Sequence, residues 1–435
     1  MQAWLSLILL CTSSQAATLE VGPTRTYTSI SDALSASSDG DRIEVDSGTY
    51  IETLDIDTNI ELVGVSGAGS TGIRGTGNVI TISPFAEVTI EGFTLSTTGS
   101  NDRGLDIRNA TASLENIYIS GFARSREGGA IRIRDGAEVT IENSNFDGNE
   151  SEDDGGHVYV SDSTLIVNNS DFTDGVAEDG GGIYATDSIV ELTNVLLDGN
   201  ATDGVGGSLV ALDGSTVSIN TSDLYASEAS GGYGGHIYAE DSTVTLTGTN
   251  VEFGVTAYLG GGIYAGNCTL TLDNTTFYDN LTAGGGWYGG SGGGISVEDS
   301  TVSIIGSLFS GNYCPDNGGA MFSESSTVTV SGSTFTGNSV SDSGSYGGAI
   351  CIEGGSMDMT GSNVSNNSSN YIGGAFRTQD GAELTITSST ISGNESVEYG
   401  GALHHGSDGD LVIESSTFSN NSSEIGGAIR WRPNS

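Results

Sequence analysis

Behind each of a series of paired glycines, the apolar positions of this chain fall in a fixed order. The pairs begin at Gly128, Gly155, Gly180, Gly206, Gly234, Gly260, Gly292, Gly318, Gly347, Gly373, Gly400 and Gly426, with gaps of 25 to 32 residues. The fourth residue of each unit is Ile131, Val158, Ile183, Leu209, Ile237, Ile263, Ile295, Met321, Ile350, Phe376, Leu403 or Ile429, apolar every time. Its neighbours are mostly small or polar, the alternation expected of a strand with one face in a core. A second alternating run follows, as in Val139-Thr140-Ile141, Val244-Thr245-Leu246 and Val328-Thr329-Val330. A third opens with Phe146, Phe172, Leu197, Leu224, Phe253, Phe277, Phe309, Phe335, Val364, Ile391 or Phe418.

Three short strands in about 27 residues cannot form a four-stranded propeller blade, but they close one turn of a solenoid. The pattern therefore predicts an all-β, right-handed parallel β-helix, three-sided, with about twelve coils over residues 128–435. Coils would stack about 4.8 Å apart and bury their apolar columns only against neighbours. Three residues beyond the third-strand residue stands Asn149, Asn200, Asn280, Asn312, Asn338, Asn367, Asn394 or Asn421. Asparagine suits tight turns and stacks into ladders, so this column is expected to be structural.

Residues 17–127 are less regular and predict a cap with the first coils. Ser29 and Asp32 open a short helix holding Ile30, Ala33 and Leu34, followed by Ile43-Glu44-Val45 as a first strand. Such a helix would cover an otherwise open sheet edge. Before it, residues 1–16 carry the apolar run Trp4 to Leu10 and the small-x-small site Ser14-Gln15-Ala16, which predicts a signal peptide. No later run is long and apolar enough to span a bilayer. The chain stops at Ser435, nine residues after the last glycine pair, so a longer, truncated parent is expected.

Charge narrows the partners. The chain has 56 acidic residues against 12 arginines and no lysine, a net charge of −44, and no basic residue from Asp135 to Phe376. Nucleic acid and anionic membrane are repelled by such a surface, whereas divalent cations and neutral or cationic partners suit it. Cys268, Cys314 and Cys351 have neither disulfide-framework nor zinc-site spacing.

Four groups of residues could carry chemistry. Arg132, Arg134, Asp153, Asp154 and His157 mix both signs across two coils, as a polysaccharide lyase or hydrolase would need, although ion pairing is the simpler expectation. Strand alternation predicts that His157 and His236, third in their units, point outward, and that the fifth column does too. That column would then expose an aromatic stripe, Tyr159, Tyr184, Tyr238, Tyr264 and Phe322, suited to sugar rings or a protein surface. The longest unit carries an insert with Trp287 and Tyr288, expected to project as a further binding element. No cofactor is required by the pattern. The acidic turns at Asp153, Asp154, Asp179 and Asp203 offer oxygen ligands for weakly held calcium.

The GGAI and GGAL units at Gly128–Ile131, Gly347–Ile350, Gly400–Leu403 and Gly426–Ile429 alternate with FxxN units such as Phe146–Asn149, Phe309–Asn312 and Phe418–Asn421. This alternation, over residues 128–430, resembles the polymorphic outer membrane protein repeats of bacterial surface adhesins. Residues 24–60 are similar to the start of many pectin-lyase-like β-helix proteins. The resemblance implies a secreted or cell-surface protein, at the outer membrane, that presents loops to a surface glycan or protein ligand without catalysis. The pectin-lyase-like likeness implies the alternative, an extracellular polysaccharide lyase or hydrolase, with an Asp pair and a His echoed at Asp153, Asp154 and His157.

Overall fold

The computed structural model describes residues 16–284, 289–406 and 408–432. The segment on which the signal-peptide expectation rests lies outside them, apart from Ala16. So do Trp287 and Tyr288.

The described chain winds as a parallel β-solenoid. In the coil that starts at Gly128, strands Ile131–Arg134, Glu138–Glu142, Asn145–Asp147 and Glu150–Ser151 follow one another. Each pairs in parallel with its counterpart one coil on, which builds sheets of 15, 16, 15 and 11 strands. The predicted three sides are present, and a fourth, narrow sheet joins them. Its strands are two residues long, too short to leave an alternation in the sequence.

Register follows the apolar columns. Ile131, Val158, Ile183, Leu209, Ile237 and Ile263 are successive partners, and Ile295, Met321, Ile350, Phe376, Leu403 and Ile429 continue the line. All but Ile429 are fully buried. The third side stacks rings: Phe277 on Phe309 at 4.6 Å and Phe309 on Phe335 at 4.7 Å, nearly parallel. One expectation shifts in the coil of Gly234. Val251, not Phe253, lies between Leu224 and Phe277 in that column, and Phe253 turns outward at a φ of 57°.

Glycine pairs are dictated by the backbone. The first glycine of each pair adopts a left-handed φ, 68° at Gly128 and 66° at Gly234, which side-chain-bearing residues rarely adopt. The second packs against the next coil: a Cβ on Gly129 would lie 2.3 Å from the carbonyl oxygen of Gly156. The pair is thus a turn glycine followed by a close-approach glycine.

The asparagine column forms the expected ladder. Asn312 Nδ2 donates to Asn338 Oδ1 at 3.0 Å and to the Phe277 carbonyl at 3.1 Å, while Asn338 Oδ1 also accepts the Asn312 backbone N–H. Equivalent bonds run from Asn280 to Asn421. Serine ladders that the sequence reading missed run beside it, as in Ser307 N to Ser333 Oγ and Ser333 N to Ser362 Oγ. The two ladders thereby satisfy, inside the stack, the turn amides that they bond.

At the N-terminal end, helix α1 spans Ile30–Ala36, with Ser29 as N-cap accepting from the Asp32 backbone N–H. Glu52 also accepts the backbone N–H groups of Ile30 and Ser31, and Ile30 and Ala33 are buried. The stack begins earlier than expected: Thr18–Val21 pairs with Asp41–Val45, so Ile43 to Val45 belongs to the second strand. The same sheets run through residues 17–127, so the first coils expected there join the regular ones in a stack of about sixteen turns. Among the described residues no helix is long and apolar enough to cross a membrane, which says nothing of strands.

Candidate binding groove

The first candidate centre, at Arg132, is a structural ion cluster. Arg132 holds Asp106 through two bonds, Nε to Oδ1 at 3.0 Å and Nη2 to Oδ2 at 2.9 Å, and Arg134 reaches the same carboxylate at 3.3 Å. Burial would raise the Asp106 pKa, but the two guanidinium groups outweigh it and hold the carboxyl below its usual range. The expected ion pairing is present. Its partner is Asp106, from the preceding coil, and not Asp153 or Asp154. Arg103, which sequence reading passed over, is fully buried beneath the same region and donates to the carbonyls of Gly128 and Glu127.

His157 does not face solvent. It is fully buried, 6.1 Å from Phe146 and 5.7 Å from Phe172 between ring centroids, and His236 is equally buried. Alternation misplaced both because their strands start one residue later, at Val158 and Ile237. The third residue still belongs to the turn made by the left-handed glycine, and parity cannot be carried across it. Burial holds both imidazoles at a pKa of about 4, so each is neutral. The set Arg132, Arg134, Asp153, Asp154 and His157 is thereby split between an outer ion cluster, a turn and the core.

The acidic turns are close in sequence but not convergent. Burial first, then Asp179, Asp153 and Glu178, push the Asp154 carboxyl up to about 7. Asp179 instead spends an oxygen on the Val205 backbone N–H at 2.7 Å, and Asp203 accepts from Ser230. Among the described residues no group of three or more acidic, His or Cys side chains is placed to hold a metal ion. Cys268, Cys314 and Cys351 are free and buried.

The fifth column is not an exposed stripe. Tyr159, Tyr184, Tyr238 and Tyr264 are half-buried, and Phe322 is only 8% exposed. Loops preceding the glycine pairs fold back over this face, which strand alternation alone does not reveal. The tyrosines stack in two separate pairs, Tyr159 on Tyr184 at 5.4 Å and Tyr238 on Tyr264 at 5.2 Å. Fully buried Val210 stands between the pairs.

The covering loops convert the second pair into a groove. Tyr233, just before a glycine pair, lies 5.1 Å from Tyr264, 6.4 Å from Tyr238 and 5.9 Å from Tyr258. Tyr233, Tyr258, Leu259, Gly289, Ser291, Phe322 and Glu324 line an open cavity of about 460 Å³. Glu324 is the carboxylate in its wall, and on the tyrosine pair beside Tyr233 the hydroxyl of Tyr238 donates to Glu240 at 2.7 Å and that of Tyr264 to Glu298 at 3.0 Å. Aromatic walls with acidic rims can hold a flat apolar or cationic group and orient it by hydrogen bonds. The recurrence of aromatics just ahead of the glycine pairs marks Tyr233 in the sequence, whereas Tyr258, two residues before Gly260, escapes it.

Comparison with known proteins agrees with this architecture. Two stretches, residues 57–251 and 234–421, match the family described as right handed beta helix region. Residues 415–430, which hold Phe418, Asn421 and Gly426–Ile429, match the Chlamydia polymorphic membrane protein repeat. Solved structures are similar to the chain at low identity and low TM-score. A pectin methylesterase from Aspergillus niger is 15% identical, covering 61% of this chain and 86% of its own, with a TM-score of 0.35. A PL6 family alginate lyase is 12% identical, covering 89% and 79%, with a TM-score of 0.34. The GH87 alpha-1,3-glucanase of Streptomyces thermodiastaticus is 13% identical, covering 93% and 66%, with a TM-score of 0.35. No curated protein matches the chain. With the family match running through most of its coils, the chain belongs to the right-handed β-helix family.

Proposed function

We propose that this chain is a cell-surface, adhesin-like scaffold that binds its ligand without catalysis at the groove between Tyr233 and Phe322. The observation that carries this reading is the groove itself. Tyr233 and Tyr258, from loops of successive coils, and Phe322, from its strand, line it beside Glu324. A surface location is supported by the polymorphic membrane protein repeat at residues 415–430. The mixed-charge centre gives the enzymatic alternative little support, because Arg132 and Arg134 are tied to Asp106 and His157 is a neutral core residue.

The test uses the whole chain with a double Tyr233→Ser, Tyr264→Ser variant. Binding to a panel of neutral and amino-sugar polymers and extracellular proteins is measured by biolayer interferometry. Loss of about tenfold or more in the variant, with the melting curve retained, supports the groove as the site. Equal binding by both proteins sinks it. Turnover of uronic-acid polymers by the unmodified chain would instead favour a polysaccharide-active enzyme.

A further inference from the structure

The ligand's chemistry can be read from what the molecule does with the same columns elsewhere. Tyr233 and Tyr258 each expose 37% of their surface to the groove region, and Glu324 is exposed beside Phe322. No lysine or arginine occurs from Asp135 to Phe376, so no basic side chain of that stretch can neutralise Glu324. Burial and the neighbouring Glu298, Asp299 and Asp380 raise its pKa, the mark of carboxylates that repel one another.

Further along the stack the fifth column carries arginine. Phe322, Cys351, Arg377, His404 and Arg430 are successive register partners. The Arg377 guanidinium lies 5.4 Å from the ring centre of Tyr346, and that of Arg430 lies 3.4 Å from the ring centre of Tyr399. Tyr346 and Tyr399 stand immediately before a glycine pair, the position that Tyr233 holds in the groove. At these two places, where a tyrosine precedes the glycine pair, the fifth-column arginine packs its guanidinium on that tyrosine; Arg132, with Glu127 before its pair, is held by Asp106 instead. Near Arg377 the carboxylate is Glu353, in register with Glu324. The groove repeats the aromatic and acidic parts of that arrangement in coils that contain no cation.

We infer that the groove takes the guanidinium of an arginine-bearing polypeptide segment, stacked on Tyr233 or Phe322 and paired with Glu324. Arginine fits better than lysine because its planar, weakly hydrated head lies flat on aromatic faces and still donates to a carboxylate. The acidity of the whole rod would draw such a segment in, while the groove would select it. This inference rests on the groove being the binding site.

The experiment must separate site binding from diffuse attraction to a chain of charge −44. A fluorescein-labelled peptide of alternating arginine and glycine is titrated with the whole chain at about 150 mM salt, where long-range attraction is screened. Its lysine counterpart and a glucosamine hexamer serve as competing probes. Expected are tighter binding of the arginine peptide than of the lysine peptide, and a loss of about five- to tenfold in Glu324→Gln. Glu138→Gln, an equal charge change on another side of the rod, should leave binding within about twofold. Tyr233→Ser gives a second reading, and Glu324→Gln keeps the test valid if that variant folds poorly. Equal losses at Glu324 and Glu138, or no preference for arginine, overturn the inference. Groove-dependent binding of the glucosamine hexamer alone would overturn it while leaving the groove as the binding site.

Discussion

The imidazole of His157 occupies the space that a side chain at Gly175 would need. A Cβ on Gly175 would lie 2.3 Å from the Gly181 carbonyl oxygen and 2.6 Å from His157 Cδ2, and one on Gly254 would lie 2.4 Å from the Gly261 carbonyl oxygen and 2.5 Å from His236 Cδ2. Gly175 and Gly254 hold the ladder position that asparagine fills in most coils, and their third-column partners are the two histidines. Asn149 Nδ2 lies 3.0 Å from His157 Nδ1, so the ladder continues into the imidazole where the next asparagine is replaced. An amide nitrogen only donates, so Nδ1 accepts and the ring proton sits on Nε2. The coil of Gly206 uses a third solution, Ser208 Oγ donating to Ser227 Oγ at 2.8 Å. In every coil with an asparagine in the ladder, the third residue is Gly or Ala.

This exchange predicts a compensating pair. Gly175→Asn alone drives a side chain into the imidazole and should cost roughly 1–3 kcal/mol, the usual penalty of overpacking. His157→Ala alone leaves a cavity and strands one of the two Asn149 Nδ2 hydrogens, the other staying on the Ile119 carbonyl, at about 2–4 kcal/mol. The double variant recreates the Ala–Asn coil found at Ala320 and Asn338. It should recover about 1–3 kcal/mol relative to the sum of the single costs. Amide exchange of the coil at 155–180 is the proper readout, since stability in a stack is local. Additive losses would show that the two positions are independent.

The rule explains what the sequence could and could not tell. The apolar columns, the glycine pairs and the asparagine ladder were legible because each side chain meets its own kind one coil away, as Phe309 meets Phe277. A repeat period then encodes contact directly. His157 and His236 were misread because their contacts lie across the coil, on Gly175 and Gly254, and no period marks those pairs. The groove was half legible for the same reason. Tyr238 and Tyr264 belong to a column, whereas Tyr233 reaches them from a loop whose path alternation does not fix.

Acid should separate two opposing groups. His157 and His236 stay neutral to a pKa of about 4 when folded, well below the ordinary histidine value. Above pH ~6.5 they add nothing to the pH dependence. As pH falls from there towards 4, the unfolded chain takes up protons that the fold refuses, and stability drops by up to about 3 kcal/mol per histidine. Asp154 and Glu353, raised to about 7, act the other way and make the fold more favourable as pH falls below 7. The two trends should nearly offset in the native chain. An Asp154→Asn, Glu353→Gln variant should therefore show a steeper fall in urea midpoint between pH 6.5 and 4.5. Imidazole shifts in NMR should report no protonation of His157 or His236 above pH ~5. A shift centred near 6.5 would contradict their burial.

Breaking the ladder at its centre should be costly and local. Asn338→Ala removes the acceptor of both the Asn312 backbone and side-chain N–H groups and the side-chain donor to the Phe309 carbonyl, while Asn367 Oδ1 loses one of two donors and keeps the backbone N–H of residue 338. Buried polar groups left unpaired cost about 1–3 kcal/mol each, with partial relief from relaxation, so a loss of about 3–5 kcal/mol is expected. Hydrogen exchange should quicken in the coils of Gly292, Gly318 and Gly347. Protection near α1 should be unchanged, because coils communicate only through neighbours. A uniform loss of protection would mean that the stack unfolds as one unit.

The ion cluster at Asp106 is predicted to act as a lock for the first regular coils. Asp106→Asn would leave Arg132, which is only 20% exposed at its side chain, with Glu127 at 3.7 Å as its remaining acidic contact. Removing one partner of such a buried pair should cost about 3 kcal/mol, since the other charge stays desolvated. The native carboxyl titrates below its usual value, so its contribution is complete above pH ~4 and fades as pH falls through the lower folded value. The difference in urea midpoint between Asp106→Asn and the native chain should then be constant from pH 5 to 8 and shrink as pH falls below the ordinary carboxylate value of about 4. Arg132→Lys discriminates further, because lysine keeps the charge but cannot make the paired bonds to Oδ1 and Oδ2. A lock that needs the fork geometry will lose about half of the Asp106→Asn effect in this variant. A cluster that works by charge alone will lose almost none.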